Sequence, residues 1–263
     1  MFIGGEILYE NDIGLKIAFK KRKLLNRMTV EYKGDYKLLN IEGISLYLPN
    51  SKSNEEIVNI YCECMLPYHP HYYLRNPVKK NDIVFDCGGC EGLFAKSIIE
   101  YVERVYIFEP SSKMCRCLEK TFEKEINSGK VVVIEAALGK ENGIIKYVED
   151  DSAISDGYVT EDHCENGVWV KNITIDSAMN EYNIPRVDYI KSDIEGAERN
   201  MLLGARNTIG KYRPRLSLCC YHYADDEEVL RNTICTIRDD YKEIVFGKVQ
   251  FAEKIGSVMM YYF

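Results

Sequence analysis

From residue 82 onward, short apolar runs alternate with amphipathic helical patterns, and this alternation leaves few folds open. "DIVFD" (82–86), "RVYIFE" (104–109), "VVVIEAAL" (131–138), "VDYIKSD" (187–193) and "RLSLCCY" (215–221) read as buried strands. Between and after them, "LFAKSIIEYV" (93–102), "SKMCRCLEKTFEKEIN" (112–127), "AERNMLLGARNTI" (197–209) and "DEEVLRNTICTIRDDY" (226–241) carry helical spacing. Strands that alternate with helices predict an α/β fold with a mostly parallel sheet covered on both faces. Two features depart from the alternation. Residues 143–179 read as a β-hairpin-like insertion with a long polar loop, a length often used for lids. The closing runs "YKEIVFG" and "GSVMMYYF" read as an antiparallel terminal pair.

Residues 1–80 differ in character. They are aromatic and strand-like, with turn signals at "KGDY", "LPNSK" and "YHPHYYLRNP". They predict an N-terminal cap or small β-rich subdomain, followed by a ligand-binding domain over 81–263. A chain of 263 residues is long enough to bury a substantial core. The net charge of −7 disfavours a general nucleic-acid binder, which needs a basic face. The basic run "FKKRKLLNR" (19–27) reads as a solvated face. The early acids of "MFIGGEILYENDIG" do not suit a signal peptide, and no apolar stretch is long enough to span a membrane. A cytoplasmic protein without membrane partners is expected. In a reducing compartment most of the ten cysteines read as small buried hydrophobes, with the adjacent Cys219 and Cys220 facing opposite sides of a strand.

The first strand runs into "FDCGGCEGLF". Here Asp86 closes the strand, and Gly88, Gly89 and Gly92 precede a helix. A glycine turn between strand and helix lets backbone approach a ligand and points free N–H groups at it. The glycine spacing fits neither the dinucleotide fingerprint nor a Walker loop. Asp86-x-Gly88-x-x-x-Gly92 suits a ligand that carries a cation and lacks a pyrophosphate, such as a sulfonium amino acid joined to a nucleoside. Glu109 ends the second strand, where a carboxylate can accept both ribose hydroxyls. Cys87-x-x-Cys90 offers a redox alternative, but the flanking Asp86 and Glu91 would raise a thiol pKa. The Cys pairs also lack the spacing of structural zinc knuckles, so no metal site is assigned to them.

The blocks "VFDCGGCEGLFA", "VYIFEPSSKMCRCLEKTF", "VVVIEAALG", "ITIDSA", "VDYIKSDIEGAERNMLLGA" and "RPRLSLCCYHYADDEEVLRNTI", in that order, resemble the FkbM family of S-adenosylmethionine-dependent methyltransferases. The most specific of them is "IKSDIEGAE". The resemblance implies a Rossmann-like class I methyltransferase fold with seven core strands, the last antiparallel. It implies that Asp86, Gly88, Gly89 and Gly92 line the methionine and ribose part of S-adenosylmethionine, with Glu109, followed by Pro110, taking the ribose hydroxyls. Glu135 and Ala136 would lie beside the adenine. Where the family's turn usually reads Asp-x-Gly-Ala-Asn-x-Gly, this chain has Gly89-Cys90, which removes one amide contact.

"SDIEGAE" places Asp193, Glu195 and Glu198 around a strand end. Asp193 or Glu195 can accept a hydroxyl proton, orient an acceptor or hold a divalent cation, although no metal is predicted. Glu198 also suits a helix start. His222 follows the fifth strand on the same side of the sheet, as a base or substrate binder. His69, His71 and His163 fall in loops without an evident partner. The expected activity is O-methylation of a sugar, glycan or small metabolite. Tyr68, Tyr72 and Tyr73 are placed either to stack on a sugar or to pack in the core. Two alternatives remain: a non-catalytic cofactor-binding module of an assembly, and a nicotinamide oxidoreductase, which the glycine spacing disfavours. The Asn/Asp-Pro-Pro-Tyr element of amino-methylating nucleic-acid enzymes is absent.

Overall fold

A computed structural model describes residues 6–9, 11–149, 157–160, 167–252 and 254–263. His163 and Cys164 lie outside the described residues. The strands of the central sheet are numbered here in chain order: β1 Ile83–Cys87, β2 Arg104–Glu109, β3 Val131–Glu135, β4 Tyr189–Ser192, β5 Arg215–Cys219, β6 Glu243–Phe246 and β7 Met259–Tyr262. Their order is β6-β7-β5-β4-β1-β2-β3. Neighbours among β1 to β5 run parallel, and β7 is antiparallel to both β5 and β6. This is the expected seven-stranded, Rossmann-like sheet with its last strand reversed. The two closing runs do pair antiparallel, and β7 is the one that inserts beside β5.

Every residue of β1, β4 and β7 is buried, as befits a sheet covered on both faces. Side chains alternate between two cores. Ile83, Phe85 and Cys87 pack with Met201, Ile209 and Leu230 on one face. Val84, Val105 and Ile107 pack with Ile57, Tyr61, Phe94 and Leu118 on the other. Cys219 and Cys220 fall on opposite faces. All nine described cysteines are free thiols.

The N-terminal segment is less β-rich than its sequence suggests. It holds an antiparallel meander, Thr29–Lys33, Tyr36–Ile41 and Ile44–Pro49, but also two helices, Asn11–Leu25 and Asn54–Met65. The second opens with a capping box: Ser53 accepts the Glu56 N–H at 3.0 Å and Glu56 accepts the Ser53 N–H at 2.6 Å. It then buries Ile57, Val58, Tyr61 and Cys62 at helical spacing. The strand Glu6–Leu8 pairs with Lys248–Gln250, so the start of the described chain is tied to its last stretch.

Three segments read as continuous are broken. The helical pattern over 112–127 divides at Phe122, and that over 197–209 divides at Gly204. A side chain at Gly204 would meet the Gly139 carbonyl at 2.1 Å. "VVVIEAAL" leaves the central sheet after Glu135, and Ala137–Leu138 pairs with the outer strand Val168–Ile173. That strand, Gly143–Val148 and Tyr158–Thr160 form the antiparallel insertion.

Candidate active site

The strand order reverses at β1 and β4. After β3 the chain crosses to the far side of β1, so the loops leaving β1 and β4 diverge and open a crevice at the strands' carboxyl ends. A cavity of about 640 Å3 occupies that crevice, within the ~300–1,000 Å3 range of small-molecule sites. Its walls come from the β1 and β4 turns, the end of β2, the helix Asn54–Met65, the loop around Tyr73 and the insertion at Tyr147 and Tyr158.

Gly88 adopts a φ of +81°, and a Cβ there would lie 1.9 Å from the Asp193 carbonyl oxygen. The β1 and β4 turns therefore touch backbone to backbone, which only glycine permits at this position. At Gly89 a Cβ would meet Ile107 at 2.1 Å. Both glycines line the cavity. Gly92, with φ of +78°, does not; it packs under Phe122 and Leu118 at the start of the helix Leu93–Ile98. The chain between them carries Cys90, whose N–H donates to Glu109 Oε2 at 3.0 Å, while Ser111 N–H donates to Oε1 at 2.8 Å. Glu109 is thus clamped at the cavity wall. Each oxygen keeps a lone pair for a further donor, as a ribose diol requires. Burial pushes its pKa up to about 8, against the pull of the Ser111 N–H. Pro110 and Ala136 also line the cavity, beside Phe108, Leu138 and Tyr147, an apolar stretch suited to a flat base. Glu135 faces outward, bonded to the Ser112 hydroxyl.

Asp86 is placed differently from its sequence-based expectation. It is fully buried beneath the turn, outside the cavity wall. Lys191 stands directly opposite it in the β1–β4 register and reaches Asp86 Oδ1 at 3.1 Å and the Gly88 carbonyl at 2.6 Å. Burial alone would lower the lysine pKa, but the Asp86 and Asp193 carboxylates more than reverse this. Lys191 therefore neutralises Asp86 and fastens the glycine turn.

Asp193 and Glu195 line the same cavity. Glu195 adopts φ of +54°, an uncommon state for a residue with a side chain and one that turns the chain sharply after β4. Tyr73 donates to Asp193 Oδ2 at 2.7 Å and Tyr221 to Oδ1 at 3.3 Å. His222 is fully buried behind the carboxylates. Its Nε2 lies 3.5 Å from both Asp193 Oδ1 and Glu195 Oε2, and its Nδ1 lies 3.4 Å from Glu198 Oε2. Glu198 opens a helix and also accepts the Ile194 N–H at 2.8 Å. Burial opposes charge on both partners, yet the surrounding carboxylates raise His222 to about 10, and His222 with Lys191 holds Asp193 at about 2.

Residues the sequence left aside also line the cavity. His71 is 3% exposed, lines the cavity and is pushed down to about 4 by burial. Glu63 lines it too and is pushed up to about 8 by burial. Of the three tyrosines, only Tyr73 reaches the cavity. The redox reading of Cys87-x-x-Cys90 finds no support, since burial and Asp86 raise the Cys87 thiol well above its usual range.

Residues 86–246 match the family described as the methyltransferase FkbM domain. No curated protein matches at a significant level. Among solved structures, the crystal structure of methyltransferase FkbM from Methylobacillus flagellatus KT superposes with a TM-score of 0.55 at 22% identity, covering 80% of this chain and 53% of that one. The chain thus spans about half the length of that protein, and the likeness shows the fold. Trm5b from Pyrococcus abyssi gives a TM-score of 0.46 at 12% identity, covering 100% of this chain and 73% of that one. A putative methyltransferase from Streptococcus mutans, solved in complex with SAH, gives 0.39 at 13% identity, covering 73% and 94%.

Proposed function

The chain belongs to the FkbM methyltransferase family, and from that premise we propose that it methylates a hydroxyl oxygen of a sugar, glycan or small metabolite with S-adenosylmethionine. The observation that carries this reading is one cavity lined by two chemically distinct sets of residues. Around Glu109 it offers a clamped carboxylate, close backbone and an apolar wall, which fit a nucleoside. Around Asp193 it offers carboxylates and tyrosine hydroxyls, which fit a polar acceptor. S-adenosylmethionine bound there supplies an electrophilic methyl group.

The chain's own residues do the rest. Glu109 fixes the ribose, and the backbone of Gly88 and Gly89 allows the ligand to lie against the β1 turn. The acceptor hydroxyl donates to the Asp193–Glu195 carboxylate pair, which aims its lone pair and takes up its proton. Tyr73 and Tyr221 orient Asp193. His222 is a positioning residue that acts through the two carboxylates. The net charge of −7 favours an uncharged or cationic acceptor over a nucleic acid, and nine free thiols among the described residues suit the cytoplasm.

The test is transfer of radiolabel from S-[methyl-3H]adenosylmethionine to a panel of sugars, glycans and hydroxylated metabolites. Label in an ether product, lost at least 100-fold in Asp193→Asn with cofactor affinity retained, supports the reading. Cofactor binding without transfer across the panel supports a binding module instead. Label on nitrogen alone would contradict O-methylation.

A further inference from the structure

Part of the cavity is lined by residues outside the family domain of residues 86–246. The helix Asn54–Met65 buries Ile57, Val58 and Tyr61 and brings Ile60, Glu63 and Cys64, at i, i+3 and i+4, to the cavity. The loop after it brings His71 and Tyr73 to the same cavity.

Two histidines of that loop share their burial but not their bonding. His69 is 1% exposed and has both ring nitrogens engaged. Its Nδ1 accepts the His71 N–H at 3.2 Å, and its Nε2 stands 3.2 Å from the Tyr9 hydroxyl. His71 is 3% exposed, and neither ring nitrogen has a hydrogen-bond partner among the described residues. Its ring meets Tyr221 edge-on, with centroids 4.6 Å apart, and a ring nitrogen lies within 4.8 Å of an Asp193 carboxylate oxygen. Glu63 Oε1 stands 3.9 Å from His71 Nδ1, beyond hydrogen-bond reach. A buried imidazole without a hydrogen bond is a costly feature unless it meets a ligand.

Burial pushes His71 down to about 4 and Glu63 up to about 8, so both are uncharged near pH 7. A neutral imidazole offers one donor and one acceptor, and a protonated carboxyl likewise offers both. A hydroxyl group also donates and accepts, so it can bridge two such groups that stand too far apart to bond each other. An anion cannot match them, because the neighbouring Asp193 is held ionised.

We propose that His71 and Glu63 are the specificity-determining pair of this site: they hydrogen-bond a hydroxyl next to the one that is methylated, and so restrict the acceptor to uncharged sugars and related polyols. This inference rests on the methyl-transfer reading and deepens it. The family domain supplies the cofactor's side of the reaction, and the segment before it selects the acceptor.

The test offers the full-length protein and S-[methyl-3H]adenosylmethionine a paired panel. Methyl glucosides, galactosides and mannosides, and inositol, are set against the matching uronates and monophosphates. Label is expected in a neutral member, with kcat/KM at least ten-fold above its anionic counterparts. His71→Phe keeps a ring and removes both nitrogens. It should raise KM for that acceptor about ten-fold or more, as loss of a hydrogen bond to an uncharged partner does, while kcat falls less than about three-fold. Glu63→Leu should raise KM in the same way, and His71→Gln, which restores a donor and an acceptor, should recover part of the loss. His71→Phe should melt no lower than wild type, since it removes a buried polar group without a partner, and should keep its affinity for S-adenosylhomocysteine. Unchanged KM in both His71→Phe and Glu63→Leu, or anionic members methylated as well as neutral ones, overturns the proposal. A His71→Phe protein that melts well below wild type makes the ring a packing residue and overturns it equally. So does the absence of label in every neutral member when the protein binds S-adenosylhomocysteine, a result that leaves the cofactor site standing. Folded wild-type protein that binds no S-adenosylhomocysteine overturns the methyl-transfer reading, and this inference with it.

Discussion

Replacing Lys191 by Met should unfasten the glycine turn and destabilise the fold in a pH-dependent way. Lys191 is 4% exposed and Asp86 is fully buried, with 3.1 Å between Nζ and Oδ1. The variant leaves Asp86 without its counter-charge and the Gly88 carbonyl without its 2.6 Å donor. Breaking a buried pair from one side costs about 3–5 kcal/mol, which for a chain of this size lowers Tm by roughly 10 °C. Burial already raises the Asp86 pKa against the pull of Lys191. Without the lysine it rises further, so the folded state keeps a proton that the unfolded state releases. The loss should therefore be largest at pH 8 and shrink as pH falls toward the carboxylate range. Urea denaturation at pH 5.5 and 8.0 measures this, with Asp86→Asn and the double variant closing a cycle. A coupling energy of about 2 kcal/mol or more is expected, by analogy with close buried charge pairs. Additive single effects below about 1 kcal/mol each would refute the account of Lys191 as the clamp of the turn.

Gly88→Ala should cost about 3 kcal/mol or more, because the new methyl falls 1.9 Å from the Asp193 carbonyl oxygen at a φ of +81°; thermal melts report the fold and a cofactor titration the site. Ser53→Ala removes one half of the capping box and should cost about 1 kcal/mol in urea denaturation, leaving cofactor affinity unchanged. Affinity for S-adenosylmethionine should rise between pH 6.5 and 8.5 and level off above. The ionised Glu109 accepts ribose hydroxyls, and burial holds its pKa at about 8. Glu109→Gln should flatten that profile in calorimetric titrations across the range.

The inner strands of the central sheet were legible in the sequence because β1, β4 and β7 are buried on both faces and so read as largely apolar runs. The place of Glu109 at the cavity wall was legible too, because an acid ending an apolar strand needs a reason. The helix Asn54–Met65 was hidden behind aromatic and cysteine residues of modest helix propensity, although "SNEE" spelled its capping box and Ile57 and Tyr61 its spacing. Lys191 lies in a run read as a buried strand, yet the sequence names no partner for it. Only its register opposite Asp86 makes it a buried counter-ion, and register is a tertiary fact. The same holds for Tyr73, whose bond to Asp193 spans 120 positions. His71 sits in "YHPHYY", which reads as an exposed turn, yet the fold lays that loop over the cavity. Asp86 was singled out by its place at a strand end, but side-chain alternation turns it beneath the turn.

The most direct test of the central claim is calorimetric titration of the purified chain with S-adenosylmethionine, with NADH as a control ligand and Glu109→Ala as a control protein. The account predicts one site per chain for S-adenosylmethionine, affinity at least ten-fold weaker in Glu109→Ala, and no binding of NADH. A folded wild-type protein that binds no S-adenosylmethionine, or binds it equally well without the Glu109 carboxylate, would contradict it.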